Sequence, residues 1–136
     1  MITKIFVNLP VKDLGKSMEF FSNLGYSFDP RFTDEKAGCL VISEHIFAML
    51  VTEKFFKTFT KKKIANAKEV TEALLALSVE SKEEVDDVFN RAIESGGKIN
   101  HEPEDLDWMY TKSFQDLDGH VWEVFYMDEN KMPKTP

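Results

Sequence analysis

Ile5, Val7, Leu9 and Val11 alternate with Lys4, Phe6, Asn8 and Pro10, and the same alternation returns 68 positions later at Ala73, Leu75, Leu77 and Val79. A period of two marks a strand with one covered face. Each copy runs into a helix signal. Asp13 is placed to cap a helix carrying Leu14, Met18, Phe21 and Leu24, with Gly25 as its stop. Ser81 and Glu84 form a capping box ahead of Val85, Val88, Phe89, Ala92 and Ile93, with Gly96-Gly97 as the stop. Phe21 and Phe89 keep the same 68-residue separation. A chain that repeats a strand and helix at half its length is held to two copies of one small module.

Extended, aromatic-rich segments follow each pair, at roughly 26–33, 38–43 and 45–52, then at 98–101, 108–115 and 120–127. Each half therefore reads β-α-β-β-β. Asp118-Gly119 is a hairpin-turn dipeptide. Aligning His45–Leu50 with His120–Phe125 makes the last strands correspond and sets Ala48 against Glu123. A lone unit of about 60 residues has a small core, so the two are expected to pair their sheets. The expected architecture is α+β, a single domain over 1–136 in which two β-α-β-β-β modules form a curved sheet cup with helices outside. Module 1 covers about 2–52, a connector 53–70, module 2 about 71–127 and a tail 128–136. Ile5, Val7, Leu9, Ala73, Leu75 and Leu77 are expected under the helices, with Phe6, Asn8, Leu74 and Ala76 looking into the cup.

Composition narrows the function. Apolar residues make up 43% and charged residues 30%, a balance that supports a packed core. Lys and Arg total 17 against 24 Asp and Glu, and the net charge of -7 repels phosphate backbones and anionic lipid. Neither nucleic acid nor membrane is an expected partner. The single cysteine, Cys39, excludes an internal disulfide framework and a cysteine zinc site, reads as inert packing, and suggests a reducing compartment. No apolar run approaches the ~20 residues of a membrane helix and no leader pattern opens the chain, so a cytoplasmic location is expected.

Leu9-Pro10-Val11-Lys12-Asp13-Leu14 leading into a Phe-rich helix, and Asp116-Leu117-Asp118-Gly119-His120-Val121-Trp122-Glu123 near the end, give residues 2–127 their resemblance to a known superfamily. The duplicated pattern resembles the vicinal oxygen chelate superfamily, which includes lactoylglutathione lyase, bleomycin-resistance proteins, fosfomycin-resistance enzymes and extradiol dioxygenases. The resemblance implies a homodimer and, in the metalloenzymes, one divalent ion held from the first and last strands of the modules. Carried over residue by residue, those positions fall on Phe6, Ala48, Leu74 and Glu123. Three of the four have no donor atom for such an ion. No cofactor is therefore expected, and a divalent ion at Glu123, helped through water by the amide of Asn8, would be weak.

Glu123 is the residue on which function turns. Facing an apolar cup with Phe6 and Leu74, its carboxylate would be desolvated and its pKa raised, which suits a general base or a single polar anchor. The competing reading is a structural carboxylate paired with a donor such as Asn8. Trp108 and Tyr110, on the penultimate strand, either stack on a planar ligand or fill the core. The ligand-binding set is thus Phe6, Asn8, Ala48, Leu74, Trp108, Tyr110 and Glu123, with Glu123 as the catalytic candidate. His120 falls on the opposite strand face from Glu123. His101, beside Glu102, Glu104, Asp105 and Asp107, reads as part of a solvated acidic loop. Phe55, Phe56 and Phe59, interleaved with five lysines between Lys54 and Lys63, read as a surface helix or lid packed on a sheet edge. The leading expectation is a binding protein of the bleomycin-resistance-like type for a small molecule. The alternative is a lactoylglutathione lyase- or dioxygenase-like enzyme that uses Glu123 as base or as its sole retained metal ligand.

Overall fold

The computed structural model describes residues 1–134, so the last two residues of the tail 128–136 lie outside it. The chain forms two compact units, Met1–Asn66 and Ala67–Pro136. The fold is α+β, with two mixed sheets built from βαβββ-like modules.

The first unit contains β1 (Ile5–Val11), α1 (Leu14–Asn23), β2 (Ser27–Phe28), β3 (Ala37–Ser43), β4 (Ile46–Thr52) and the short α2 (Glu53–Phe56). Its sheet order is β1-β4-β3-β2, with β1 parallel to β4 and a β3-β4 hairpin. Asp13 accepts a hydrogen bond from the Lys16 backbone N–H at 3.1 Å, which satisfies one free donor at the start of α1. α1 packs on β3 and β4, burying Phe20, Phe21 and Leu24 with Leu40 and Leu50. The extended segment expected over 26–33 is cut short after Phe28. Pro30 has no N–H to give a ladder, and Asp29 accepts from the Arg31 N–H at 3.0 Å, which fixes a 3-10 turn at Pro30–Phe32. In the connector, Phe55 and Phe59 meet edge to face at 4.9 Å, and Phe59 remains exposed.

The second unit contains β5 (Leu74–Ser78), α3 (Lys82–Glu94), β6 (Lys98–Ile99), β7 (Glu104–Asp105), β8 (Met109–Gln115) and β9 (Val121–Met127). Its main order is β5-β9-β8-β6, with β5 parallel to β9 and β7 also paired to β8. Ser81 accepts from the Glu84 N–H at 3.1 Å, and α3 ends at Gly96, whose φ of 107° is open to glycine without strain. α3 packs on β8 and β9 over Val85, Phe89, Ala92, Phe114, Trp122 and Val124. The acidic stretch after His101 is more than a solvated loop. Glu104 and Asp105 pair with Thr111 and Tyr110, and Asp105 meets Lys82 of α3 at 3.5 Å.

Candidate functional site on the helix-free face of the second sheet

Which face each strand residue occupies follows from its contacts with the helices. Tyr110 Oη donates to Asp86 Oδ1 at 2.6 Å, and Lys112 Nζ meets the same oxygen at 2.8 Å. Asp86 lies on α3, so Tyr110 and Lys112 face that helix, and Thr111 and Ser113 between and beyond them face away. Tyr110, a candidate for ligand stacking, is thus turned to the helix side and committed to Asp86. The Lys112 and Tyr110 hydrogen bonds together hold the Asp86 carboxyl below its ordinary value, and Asp86 in turn raises Lys112. Trp108 stands just before β8, half-buried, its carbonyl accepting from the Asp128 N–H at 2.8 Å.

Glu123 pairs with Ser113 on one side and with Ala76 on the other, so all three share the helix-free face. Its side chain is 22% exposed. Leu74 and Val121 occupy the neighbouring row, and Ser78 and Phe125 the row beyond. A residue outside the sequence-derived set completes the group. His101 Nε2 lies 3.7 Å from Glu123 Oε1, while its Nδ1 is 2.8 Å from the Glu102 carbonyl. A carbonyl only accepts, so Nδ1 carries the proton of the neutral ring and Nε2 presents a lone pair. Nothing in the local sequence pointed to His101, because the turn that carries it to Glu123 depends on the β6-β8 and β7-β8 pairings. Ser113 and Thr111 are 0% and 3% exposed, and among the described residues their hydroxyls meet no hydrogen-bond partner. Sequence reasoning singled out neither residue, because a period of two sets them on one face without revealing what surrounds them.

The position of Glu123 is fixed by the turn that leads into its strand. Asp116 accepts from the backbone N–H groups of Asp118 and His120, each at 3.0 Å, and from Trp122 Nε1 at 2.9 Å. Burial pushes the Asp116 carboxyl up. Gly119, with a φ of 91°, closes the turn.

The corresponding face of the first sheet is apolar, and it corrects one candidate. A Cβ on Gly38 would meet Met18 Sδ of α1 at 3.0 Å, so Gly38 faces that helix, and Leu40 follows by alternation. Leu40 pairs with Ala48, which is therefore on the α1 side and fully buried, unable to line a ligand site on the other face. Phe6 and Phe47 stack at 4.7 Å on the helix-free face, followed along the register by Asn8 and Met49. Ladder positions make Met49, partner of Asn8, the counterpart of Glu123, partner of Ala76. Matching the two His-led segments slipped by one residue because β4 begins one position earlier against β1 than β9 does against β5, and a slip of one exchanges the faces. Asn8 is exposed, its Nδ2 donating to the Phe6 carbonyl at 3.4 Å, and Phe6 and Leu74 are exposed as well.

The positions that the resemblance assigns to a metal do not supply four protein donors. Phe6 and Leu74 have no donor, and the thioether of Met49 is a soft ligand poorly suited to hard divalent ions. Among the described residues no group of three or more His, Cys, Asp or Glu side chains stands together as a metal site. Cys39 is buried in the first unit, and burial raises its thiol pKa. No helix of the described residues is long and apolar enough to cross a membrane.

Known proteins agree with this architecture. A hypothetical protein of S. aureus is 30% identical, with a TM-score of 0.78 over 93% of this chain and 95% of its own. A glyoxalase/bleomycin resistance protein/dioxygenase family enzyme of Burkholderia phytofirmans is 16% identical, with a TM-score of 0.73 over 90% of this chain and 96% of its own. The genomically encoded fosfomycin resistance protein of Listeria monocytogenes is 20% identical, with a TM-score of 0.67 over 99% and 97%. The last two show the fold alone. None of the curated proteins matches the sequence. The family model for the Glyoxalase/Bleomycin resistance protein/Dioxygenase superfamily matches residues 5–124. With nearly the whole of both modules inside that match, the chain belongs to the glyoxalase/bleomycin resistance protein/dioxygenase superfamily.

Proposed function

We propose that this protein is a cytoplasmic small-molecule binding protein of the bleomycin-resistance-like type, holding its ligand by shape and hydrogen bonds on the helix-free face of its second sheet. The observation that carries the reading is the donor set: Glu123 is the one hard donor at the family's metal positions, with Phe6, Met49 and Leu74 at the others. Around it, Ala76 leaves space, Leu74 and Phe125 offer apolar surface, and Ser113 and His101 supply polar groups, a mixture suited to a ligand site. Metal analysis of the full chain purified without chelators tests the reading. The expected result is well below one divalent ion per chain, and about one ion per chain lost on Glu123→Gln would overturn it.

One observation favours a second reading, an enzyme related to lactoylglutathione lyase or the dioxygenases with Glu123 as base. The His101 ring beside the carboxylate is an arrangement that acid–base chemistry uses. Glu123→Gln separates the two. An anchor loses about 1.5–3 kcal/mol of affinity for a donor-bearing ligand, whereas a base keeps affinity and loses roughly 10²–10⁴-fold in turnover.

A further inference from the structure

With the His101 ring neutral, two acceptors face each other in the second sheet. His101 Nδ1–H is committed to the Glu102 carbonyl at 2.8 Å, so in the neutral ring Nε2 is an acceptor, and it looks at Glu123 Oε1, another acceptor, across 3.7 Å. That distance is too long for a direct hydrogen bond and leaves room for a donor bound to both. A nitrogen about 2.9 Å from each atom closes the triangle with ordinary hydrogen bonds. It must carry at least two N–H groups.

The neighbouring groups restrict the ligand further. Ser113, directly across from Glu123, and Thr111, two residues along the same face, are buried, and among the described residues their hydroxyls meet no hydrogen-bond partner, which leaves both open to a further donor or acceptor on this face. Glu104 pairs with Thr111 and adds a second carboxylate to this face, while Lys98, opposite Gln115, lies one row further along. With a net charge of -7, the chain favours a cation over an anion here. Leu74, 57% exposed, and half-buried Phe125 flank the Ala76–Glu123 row with apolar surface.

We infer that His101 and Glu123 together bind the primary amine of a small molecule with an apolar body, His101 acting as a specificity-determining residue beside the carboxylate. The inference rests on the small-molecule reading above and names the ligand class of the same site.

Three probes of one shape test it. Benzylamine supplies charge and N–H donors, benzyltrimethylammonium supplies charge without donors, and benzyl alcohol supplies a neutral hydroxyl. Each is titrated into the ¹⁵N-labelled full chain to millimolar concentration while amide shifts are followed. Benzylamine is expected to move the amides of His101, Ser113 and Glu123 and to bind at least about 10-fold more tightly than the other two, as a charge-assisted bond predicts. His101→Phe keeps the ring and removes Nε2, and should weaken benzylamine about 5-fold or more while leaving benzyltrimethylammonium, which has no donor for Nε2, unaffected. His101→Gln restores an acceptor and should recover part of the loss, which a merely structural role would not do. Equal binding of the three probes, or benzylamine binding indifferent to His101→Phe, overturns the amine inference and leaves the small-molecule reading standing. If no probe binds on this face, both fall.

Discussion

Thr111 offers a direct measure of whether the helix-free face of the second sheet is built for stability or for something else. Its hydroxyl is buried, with the residue 3% exposed, and meets no partner among the described residues. Thr111→Val exchanges that hydroxyl for a methyl group of the same shape and keeps the β-branched side chain that a strand favours. An unpaired buried hydroxyl carries a desolvation penalty of about 1–3 kcal/mol, and the added methyl contributes up to about 0.8 kcal/mol of burial. Allowing for imperfect packing, the variant should be about 1–2 kcal/mol more stable than the native chain, where a hydrogen-bonded threonine would lose about 1 kcal/mol. Urea unfolding of the full chain followed by tryptophan fluorescence is the assay. Both tryptophans, Trp108 and Trp122, lie in the second unit, so the signal reports the module that carries the change. The midpoint should rise with an unchanged slope. Ser113→Ala should follow in the same direction by a smaller amount, because alanine leaves the space of one oxygen empty. A loss of about 1 kcal/mol or more in Thr111→Val would show that the hydroxyl has a partner in the native state. The reasoning that this face completes its hydrogen bonds with a ligand would then fail.

Gly119→Ala should destabilise the chain by about 2 kcal/mol or more, since the left-handed φ of 91° and a Cβ within 2.7 Å of the Lys68 backbone nitrogen leave alanine no unstrained place; chemical denaturation measures it. Asp86→Asn should remove an acid-dependent part of stability. The Asp86 pKa is lowered from 3.8, so its contribution is present above that value and is lost as pH falls through the lower folded one. With the Asp86 side chain 44% exposed, screening keeps the effect below about 1 kcal/mol, and unfolding curves for both proteins between neutral and acid pH should converge at the acid end. Sedimentation of the full chain should give a homodimer near twice 15.7 kDa, and a monomer at micromolar concentrations would dismiss the expected assembly.

The elements were legible where local chemistry and long-range packing agree. Asp13 and Ser81 cap helices that bury Phe21 and Phe89, and Gly25, Gly96 and Gly119 adopt positive φ at the expected stops and turn. Alternation also placed Leu75 and Leu77 on the more covered side of β5, while Ala73 falls before the strand and is exposed. What escaped was decided by pairings between distant segments. Ala48 looked equivalent to Glu123 because each follows a histidine by three, yet equivalence in a sheet is set by the neighbouring strand: Val7 pairs with Ala48, Leu75 with Trp122. Tyr110 was open to either face until Asp86, 24 residues earlier, took its hydroxyl. His101 approaches Glu123 only because β7 folds onto β8, a contact with no periodicity to announce it.

Duplication gave the two sheets the same strand order and then different helix-free faces. In the first, Phe6 stacks on Phe47 and Met49 stands where the second has Glu123; in the second, Leu74 and Ala76 take the β5 positions of Phe6 and Asn8, and the polar groups come from Ser113, Thr111 and His101. The helix-covered faces cannot diverge so freely, because each must fill the space beneath its helix at crystal-like density. The helix-free faces carry no such obligation to a helix, and there a carboxylate, an imidazole and two hydroxyls can be placed close together without disturbing the core beneath the helices. A buried hydroxyl that meets no partner among the described residues works against folding, and the proposed ligand site would account for two of them on one paired strand.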